Sequence, residues 1–294
     1  MQDERNADAA CGSGEEQCAA GRWLPARAAV VGAGVMGTGI AQVLASAGIE
    51  VTLIDVNEQA LSRACALLET RLGRLSRAPE VRGSLRIEDA RDAEAVVEAV
   101  FEDLDVKRAT FAELGRVASS GALLATNTSS LSVSAIAEAA AHPERVVGMH
   151  FMNPPAVMRL VEVVRGKASS EESVARAAAL ARSVGKTPVV VADRPGFVVN
   201  RLLIPLINEA ARELEEGVAS AESIDTAMKL GANFPMGPLH LADLIGIDVV
   251  VQELRELERE LGAFYRAASP LLERLARGEL GRKTGKGFFT YERG

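Results

Sequence analysis

A chain of 294 residues with 48% hydrophobic and 25% charged residues is long enough to bury a sizeable core, and by length it divides more naturally into two domains than one. Its net charge of -7 argues against nucleic-acid binding, which needs a basic face, so any anionic ligand must be held locally. No apolar run approaches the roughly 20 residues that span a bilayer, and no membrane span is expected.

The chain opens on MQDERNADAACGSGEEQCAAGR, which is small, polar and acidic and lacks the basic start and apolar stretch of a secretory signal. Residues 1–23 therefore read as a disordered tail. Cys11 and Cys18 do not have zinc-ligand spacing, and with Cys65 they make an odd total. That speaks against a disulfide framework or a metal site and fits a reducing cytoplasm. From Ala28, short β-branched runs alternate with helical stretches: AAVV, EVTLI, SLRI, AVVEAV, LLAT, VVGMHF, LVEVV and PVVVA. Such alternation predicts an α/β domain, a mostly parallel, doubly wound sheet covered on both faces, over residues 24–192. After DRPGF at 193–197 the strands stop. Apolar residues at helical spacing, punctuated by Gly217, Gly231, Gly246 and Gly262, predict an all-α domain over residues 193–294.

The segment AAVVGAGVMGTGIAQVLASAG puts Gly32, Gly34 and Gly37 in G-x-G-x-x-G register between a strand and a helix, with Val35 and Met36 between the last two. Gly32 suits the tight turn, Gly34 the close approach of a pyrophosphate, and Gly37 the packing of helix on strand. The helix N-terminus adds free N–H groups and a positive dipole end. The next strand ends in Asp55, whose carboxylate can accept hydrogen bonds from both ribose hydroxyls and would repel a 2′-phosphate. The expected cofactor is NAD.

Further along, Glu98, Glu102 and Lys107 in VVEAVFEDLDVK fall at the carboxyl edge of the fourth strand, where ligands lie in such sheets; a solvated helix start accounts for them equally well. In TNTSS, at the end of the fifth strand, Ser129 or Ser130 can cap the following helix or bond a substrate oxygen. If VVGMHF and LVEVV are neighbouring strands joined by the NPPAVMR turn, Glu162 can come beside His150. A carboxylate there orients the imidazole and stabilises its charged form, as a general base needs when it takes a proton from an alcohol. A lone histidine at a strand end is more often structural. His142, before a proline in a loop, and His240, in MGPLHLAD, have no comparable carboxylate partner at a strand edge and are read as structural.

Taken together, GAGVMGTGIA, VEAVFEDLDVK, NTSSL, HFMNP, VGKTPVVVADRPGFVVNRLL, FPMGPLHLADLIGID and GRKTGKGFF follow in the order that resembles the 3-hydroxyacyl-CoA dehydrogenase family in its short, 3-hydroxybutyryl-CoA form, over about Ala28 to Tyr291. The resemblance implies a Rossmann-type NAD-binding domain and an oxidoreductase acting on a CH–OH group. By it, His150 is the general base, Glu162 its partner, and Ser129 and Asn200 bond the substrate's reacting oxygen or thioester. Cofactor contacts would fall on Asp55, Glu102, Lys107, Ser129, Asn153 and Lys283, beside the glycine turn. The helical domain would pair with its mate in a homodimer. GRKTGKGFF is not a P-loop, because the glycine spacing is too short and Gly287 stands where Ser or Thr is required.

One departure concerns the substrate. The resemblance implies a long helical hairpin between the second and third strands that reaches the CoA moiety, whereas only 43 positions separate Asp55 from Glu98. The hairpin is expected to be short by roughly one to two dozen residues. What remains is basic: Arg71, Arg74, Arg77, Arg82 and Arg86 against Glu80. A solvated arginine face is one reading, and a patch for phosphate groups or an acidic protein surface is the other. Two substrate forms stay open: a CoA thioester, as in fatty acid metabolism, or a hydroxyacyl group such as glyceryl on an acyl-carrier protein, on the way to hydroxymalonyl or methoxymalonyl units for polyketide biosynthesis.

Overall fold

The computed structural model describes residues 21–73 and 79–292; residues 1–20 of the expected tail and Arg74 and Arg77 of the basic stretch lie outside the described residues. The chain divides after Asp193 into two compact units.

In the first unit eight strands form one sheet: β1 (Arg27–Val31), β2 (Glu50–Ile54), β3 (Val81–Ser84), β4 (Ala95–Glu98), β5 (Leu123–Thr126), β6 (Val146–Phe151), β7 (Leu160–Arg165) and β8 (Thr187–Ala192). Their order is β3-β2-β1-β4-β5-β6-β7-β8. All neighbours are parallel except β6 and β7, which run antiparallel. The central strands β4, β5 and β6 are buried at every residue. Their continuous apolar runs are what a sheet covered on both faces requires. The third strand differs from its expected place: VRGS forms it, and SLRI runs past it into a 3-10 turn at Ile87–Ala90. Gly83 is the reason, since a Cβ there would press on Cys65 and Leu61. The strand approaches its helix through a missing side chain, a signal that apolar periodicity does not carry.

The helices of this unit are α1 (Val35–Ser46), α2 (Glu58–Leu72), α3 (Leu104–Val117), α4 (Val133–Ala137) and α5 (Glu171–Ser183). Asn57, Asp103, Ser132 and Ser170 each accept a backbone N–H at the start of α2, α3, α4 and α5. By contrast, α1 starts on Gly34 with no side-chain cap, which leaves its first N–H groups to a ligand.

Trp23 corrects the expected tail. It is 3% exposed, its backbone N–H donates to Ser183 Oγ at 3.2 Å, and the Arg176 guanidinium lies 4.2 Å from its ring centroid. The packed chain thus begins before the first strand, because a single large ring supplies the apolar area that the neighbouring residues lack. Asp193 likewise belongs with the first unit: its carboxylate accepts Ser132 Oγ and the Val133 and Ser134 N–H groups.

The second unit is helical, with α6 (Val199–Glu215), α7 (Ala221–Gly231), α8 (Pro238–Ile245), α9 (Ile247–Leu261) and α10 (Ser269–Arg277). Gly246 and Gly262 end α8 and α9 at φ 107° and 99°, a region open to glycine at little steric cost. Ile204, Ile207, Leu239, Val250, Leu254 and Leu271 form the centre of its core, each contributing about 1.5–3 kcal/mol by burial. Among the described residues no helix is long and apolar enough to cross a membrane.

Candidate active site

The strand order reverses between β1 and β4, and ligands of such sheets lie at the carboxyl ends of the strands at that point. The turn after β1 is built on glycine. Gly32 takes φ 106°, and a Cβ on Gly37 would collide with the Gly32 carbonyl, so that helix and strand meet backbone to backbone. A Cβ on Gly34 would meet nothing, which leaves space in front of the free N–H groups of α1. Val35, 77% exposed, stands at the helix start, while Met36 packs against the core.

Asp55 follows β2 and is tied to the same turn: its carboxylate accepts the Ala33 N–H at 2.6 Å and the Asn57 N–H at 2.8 Å. Two of its roughly four lone-pair sites remain for hydroxyl donors. A cavity of about 870 Å³ opens here, lined by Gly32, Gly34, Asp55, Val56, Val100 and Phe101 among others. Val56 and Phe101, 94% and 85% exposed, give it apolar walls. Free helix N–H groups, a glycine gap, a carboxylate and an apolar slot together fit a dinucleotide.

The acidic group beyond β4 is not a solvated helix start. Glu98 is 0% and Lys107 1% exposed. Lys107 Nζ donates to Glu98 at 2.8 Å and pairs with Glu102 at 3.2 Å. Glu102 Oε1 in turn accepts the Thr128 hydroxyl and the Ser129 and Ser130 N–H groups, fixing the turn after β5. Burial pushes the Glu102 carboxyl up, but the Lys107 charge and the bonds from Thr128 and Ser129 outweigh it and hold the group below its ordinary value. The sequence reading missed Thr126 and Thr128 as members of this network; the hydroxyl-rich TNTSS run was the available signal.

His150 and Glu162 are direct partners in the β6–β7 register. Nδ1 of His150 donates to Glu162 Oε2 at 2.8 Å, both residues being buried. Because a carboxylate only accepts, this bond puts the ring's lone pair on Nε2. Asn127 Oδ1 accepts the Phe151 N–H and locks the β5 and β6 ends together. The following loop carries Asn153, exposed and cis-linked to Pro154, and is held where Lys186 Nζ donates to the Pro155 and Met158 carbonyls.

Asn200, in the first turn of α6, and Lys283, paired with Asp248 at 2.6 Å, belong to the second unit. His240 has a carboxylate partner on a helix and not at a strand edge: its Nδ1 is hydrogen-bonded to Asp225, and its ring stacks on Phe289. In the basic stretch, Arg71 donates to Gln42, while Arg82 pairs with Asp89 and Arg86 with Glu88, so two of its described arginines already face a carboxylate.

Comparisons with known proteins agree with this geometry. Residues 27–194 match the NAD-binding domain of the 3-hydroxyacyl-CoA dehydrogenase family, and residues 196–291 match its C-terminal domain. The chain is 44% identical to 3-hydroxybutyryl-CoA dehydrogenase of Clostridioides difficile, over 90% of this chain and 99% of that protein. It is 45% identical to the probable 3-hydroxybutyryl-CoA dehydrogenase of Bacillus subtilis, over 90% and 96%. The crystal structure of (S)-3-hydroxybutyryl-CoA dehydrogenase from Ralstonia eutropha superposes with a TM-score of 0.87 at 39% identity, over 92% and 100% of the two chains. With an NAD-binding domain and a helical C-terminal domain both matched, the chain belongs to the 3-hydroxyacyl-CoA dehydrogenase family.

Proposed function

We propose that this chain interconverts hydroxyl and ketone on a short 3-hydroxyacyl-CoA thioester of the 3-hydroxybutyryl-CoA type, with His150 as general base. The observation that carries the mechanism is the buried His150–Glu162 pair at 2.8 Å. Bound NAD supplies the hydride acceptor, or the donor in the reverse direction. His150 Nε2 takes the hydroxyl proton, and Glu162 stabilises the imidazolium that results. Ser129 and Asn200 fix the reacting oxygen. Asp55, Glu102, Asn153 and Lys283 hold the cofactor, and Lys107 acts on it through Glu102. A cytoplasmic homodimer, joined through the second unit, completes the reading.

The test is oxidation of NADH with acetoacetyl-CoA by the wild type and by His150→Gln. General-base catalysis is typically worth about 10²- to 10⁴-fold, so the variant is expected to bind NADH and lose turnover by that factor. Turnover within a few-fold of the wild type would defeat the assignment.

A second reading takes the acyl group on a carrier protein. It is favoured by the β2–β3 connection, where α2, with Arg63 and Arg71 on it, is the only helix among the described residues. The same acyl group presented on CoA and on an acyl-carrier protein separates the two; turnover on the carrier alone would select the biosynthetic role.

A further inference from the structure

Glu98 is a strand residue with no side-chain exposure, and two of the bonds its carboxylate makes lead toward the turn that carries Ser129. Its Oε1 accepts the Val100 N–H at 2.7 Å and Lys107 Nζ at 2.8 Å, and its Oε2 accepts Thr126 Oγ1 at 2.7 Å. Lys107 is then shared with Glu102, whose other oxygen gathers Thr128, Ser129 and Ser130. The two carboxylates differ in anchorage: Glu98 sits on β4, fixed between β1 and β5, whereas Glu102 sits on the loop before α3 and is 26% exposed.

We propose that Glu98 is a positioning residue: it pins the ammonium of Lys107, which pins Glu102, which sets the Thr128–Ser130 turn and so the Ser129 hydroxyl. This rests on the functional reading above and deepens it. A lysine has a flexible four-carbon stem and a point charge. With Glu102 as its sole partner, that stem would let the pair drift together. Adding a strand-bound carboxylate turns a mobile ion pair into a fixed post. A buried ion pair is weak evidence for stability, since desolvation offsets much of the attraction; its stronger product here is geometry. Misplacement by about 1 Å costs on the order of 10²-fold in a catalytic step, so a loss of this post is expected in kcat.

The experiment is a double-variant cycle with acetoacetyl-CoA and NADH, at a temperature where circular dichroism shows each protein folded. Glu98→Gln keeps the shape and removes the charge. Its kcat is expected to fall by roughly 10- to 10²-fold, with the KM for the acyl-CoA changed only a few-fold. Because Glu98 works through Glu102, the E98Q/E102Q double variant is expected to be no slower than E102Q alone. Wild-type kcat in E98Q, or additive losses in the double variant, overturns the proposal, because a merely structural role gives no such dependence. If E98Q does not fold, Glu98→Asp draws the carboxylate back from Lys107 and keeps its charge; a smaller kcat loss, again absent in the E102Q background, is expected, and an additive or absent effect overturns the proposal. Full activity in both E102Q and Ser129→Ala would instead remove the functional reading beneath it, whatever E98Q does.

Discussion

His150 and Glu162 stand directly opposite each other on β6 and β7, twelve residues apart in the chain, at the one antiparallel junction of the sheet. Parallel neighbours need a long crossover, whereas an antiparallel pair needs only a turn. The fold therefore switches strand direction where two nearby residues must meet on one face. Glu162→Gln preserves the register and a hydrogen-bond acceptor but removes the charge that, on the proposed mechanism, stabilises the imidazolium. The expected result is a kcat loss smaller than that of His150→Gln, from about 10-fold up to about 10³-fold, with NADH binding retained. Equal kcat in wild type and variant would show that the carboxylate does not act on the base.

Asp55 is expected to set the choice of cofactor. Its carboxylate already holds the Ala33 and Asn57 N–H groups, so it is oriented before a ribose arrives. Asp55→Asn removes the charge with little change in shape. Hydrogen bonds to charged groups are worth about 1.5–3 kcal/mol, so kcat/KM for NADH should fall by roughly 10- to 10²-fold. The NADPH value should fall less, because the repulsion of a 2′-phosphate goes with the charge. The quantity to measure is the ratio of the two kcat/KM values; an unchanged ratio removes Asp55 from specificity.

Much of this site was legible because it depends on local spacing. Gly32, Gly34, Gly37 and Asp55 lie in one βαβ unit, and His150 and Glu162 flank one turn, so chain order nearly fixes their geometry. The buried network was not legible. Whether Glu98 and Lys107 face solvent or one another depends on the depth at which α3 packs on the sheet, and a charged pair reads the same either way in sequence. His240 hid its partner for a similar reason, since Asp225 reaches it across the α7–α8 turn. Trp23 escaped because a single apolar residue after a polar run has no periodicity to detect.

Trp23 is expected to be a stability residue of the first unit. Its ring is packed into the core under the Arg176 guanidinium. Trp23→Ala should cost about 3–5 kcal/mol, and Trp23→Phe less, since much of the apolar area returns. As it is the only tryptophan, its fluorescence reports unfolding of this unit in the wild type; the variants are followed by far-ultraviolet circular dichroism in urea. A loss below about 1 kcal/mol in Trp23→Ala would mean that the ring adds little to the core.

Glu102 makes the stability of the site depend on pH. Burial raises its carboxyl value, and the Lys107 charge with the Thr128 and Ser129 bonds lowers it further than burial raises it. A group lowered in the folded state adds stability above its unfolded value, about 4.3, and loses it as the pH falls through the lower folded value. The wild type therefore keeps the whole of this contribution between pH 5 and pH 7. Lys107→Met removes the strongest of the lowering influences and leaves burial opposed only by the Thr128 and Ser129 bonds, so the folded value moves up toward the unfolded one. The variant therefore lacks much of the stability that the ionised Glu102 gives the wild type at pH 7, and the difference fades as the pH falls through the carboxylate range and the variant's carboxyl takes up a proton. Removing one partner of a buried pair typically costs about 3–5 kcal/mol, so a lowered Tm is expected at pH 7. The distinguishing measurement is the Tm gap between variant and wild type from pH 7 down through the unfolded carboxylate value, about 4.3. It should narrow as the pH drops; a constant or widening gap would show that Lys107 does not hold Glu102 in its charged form.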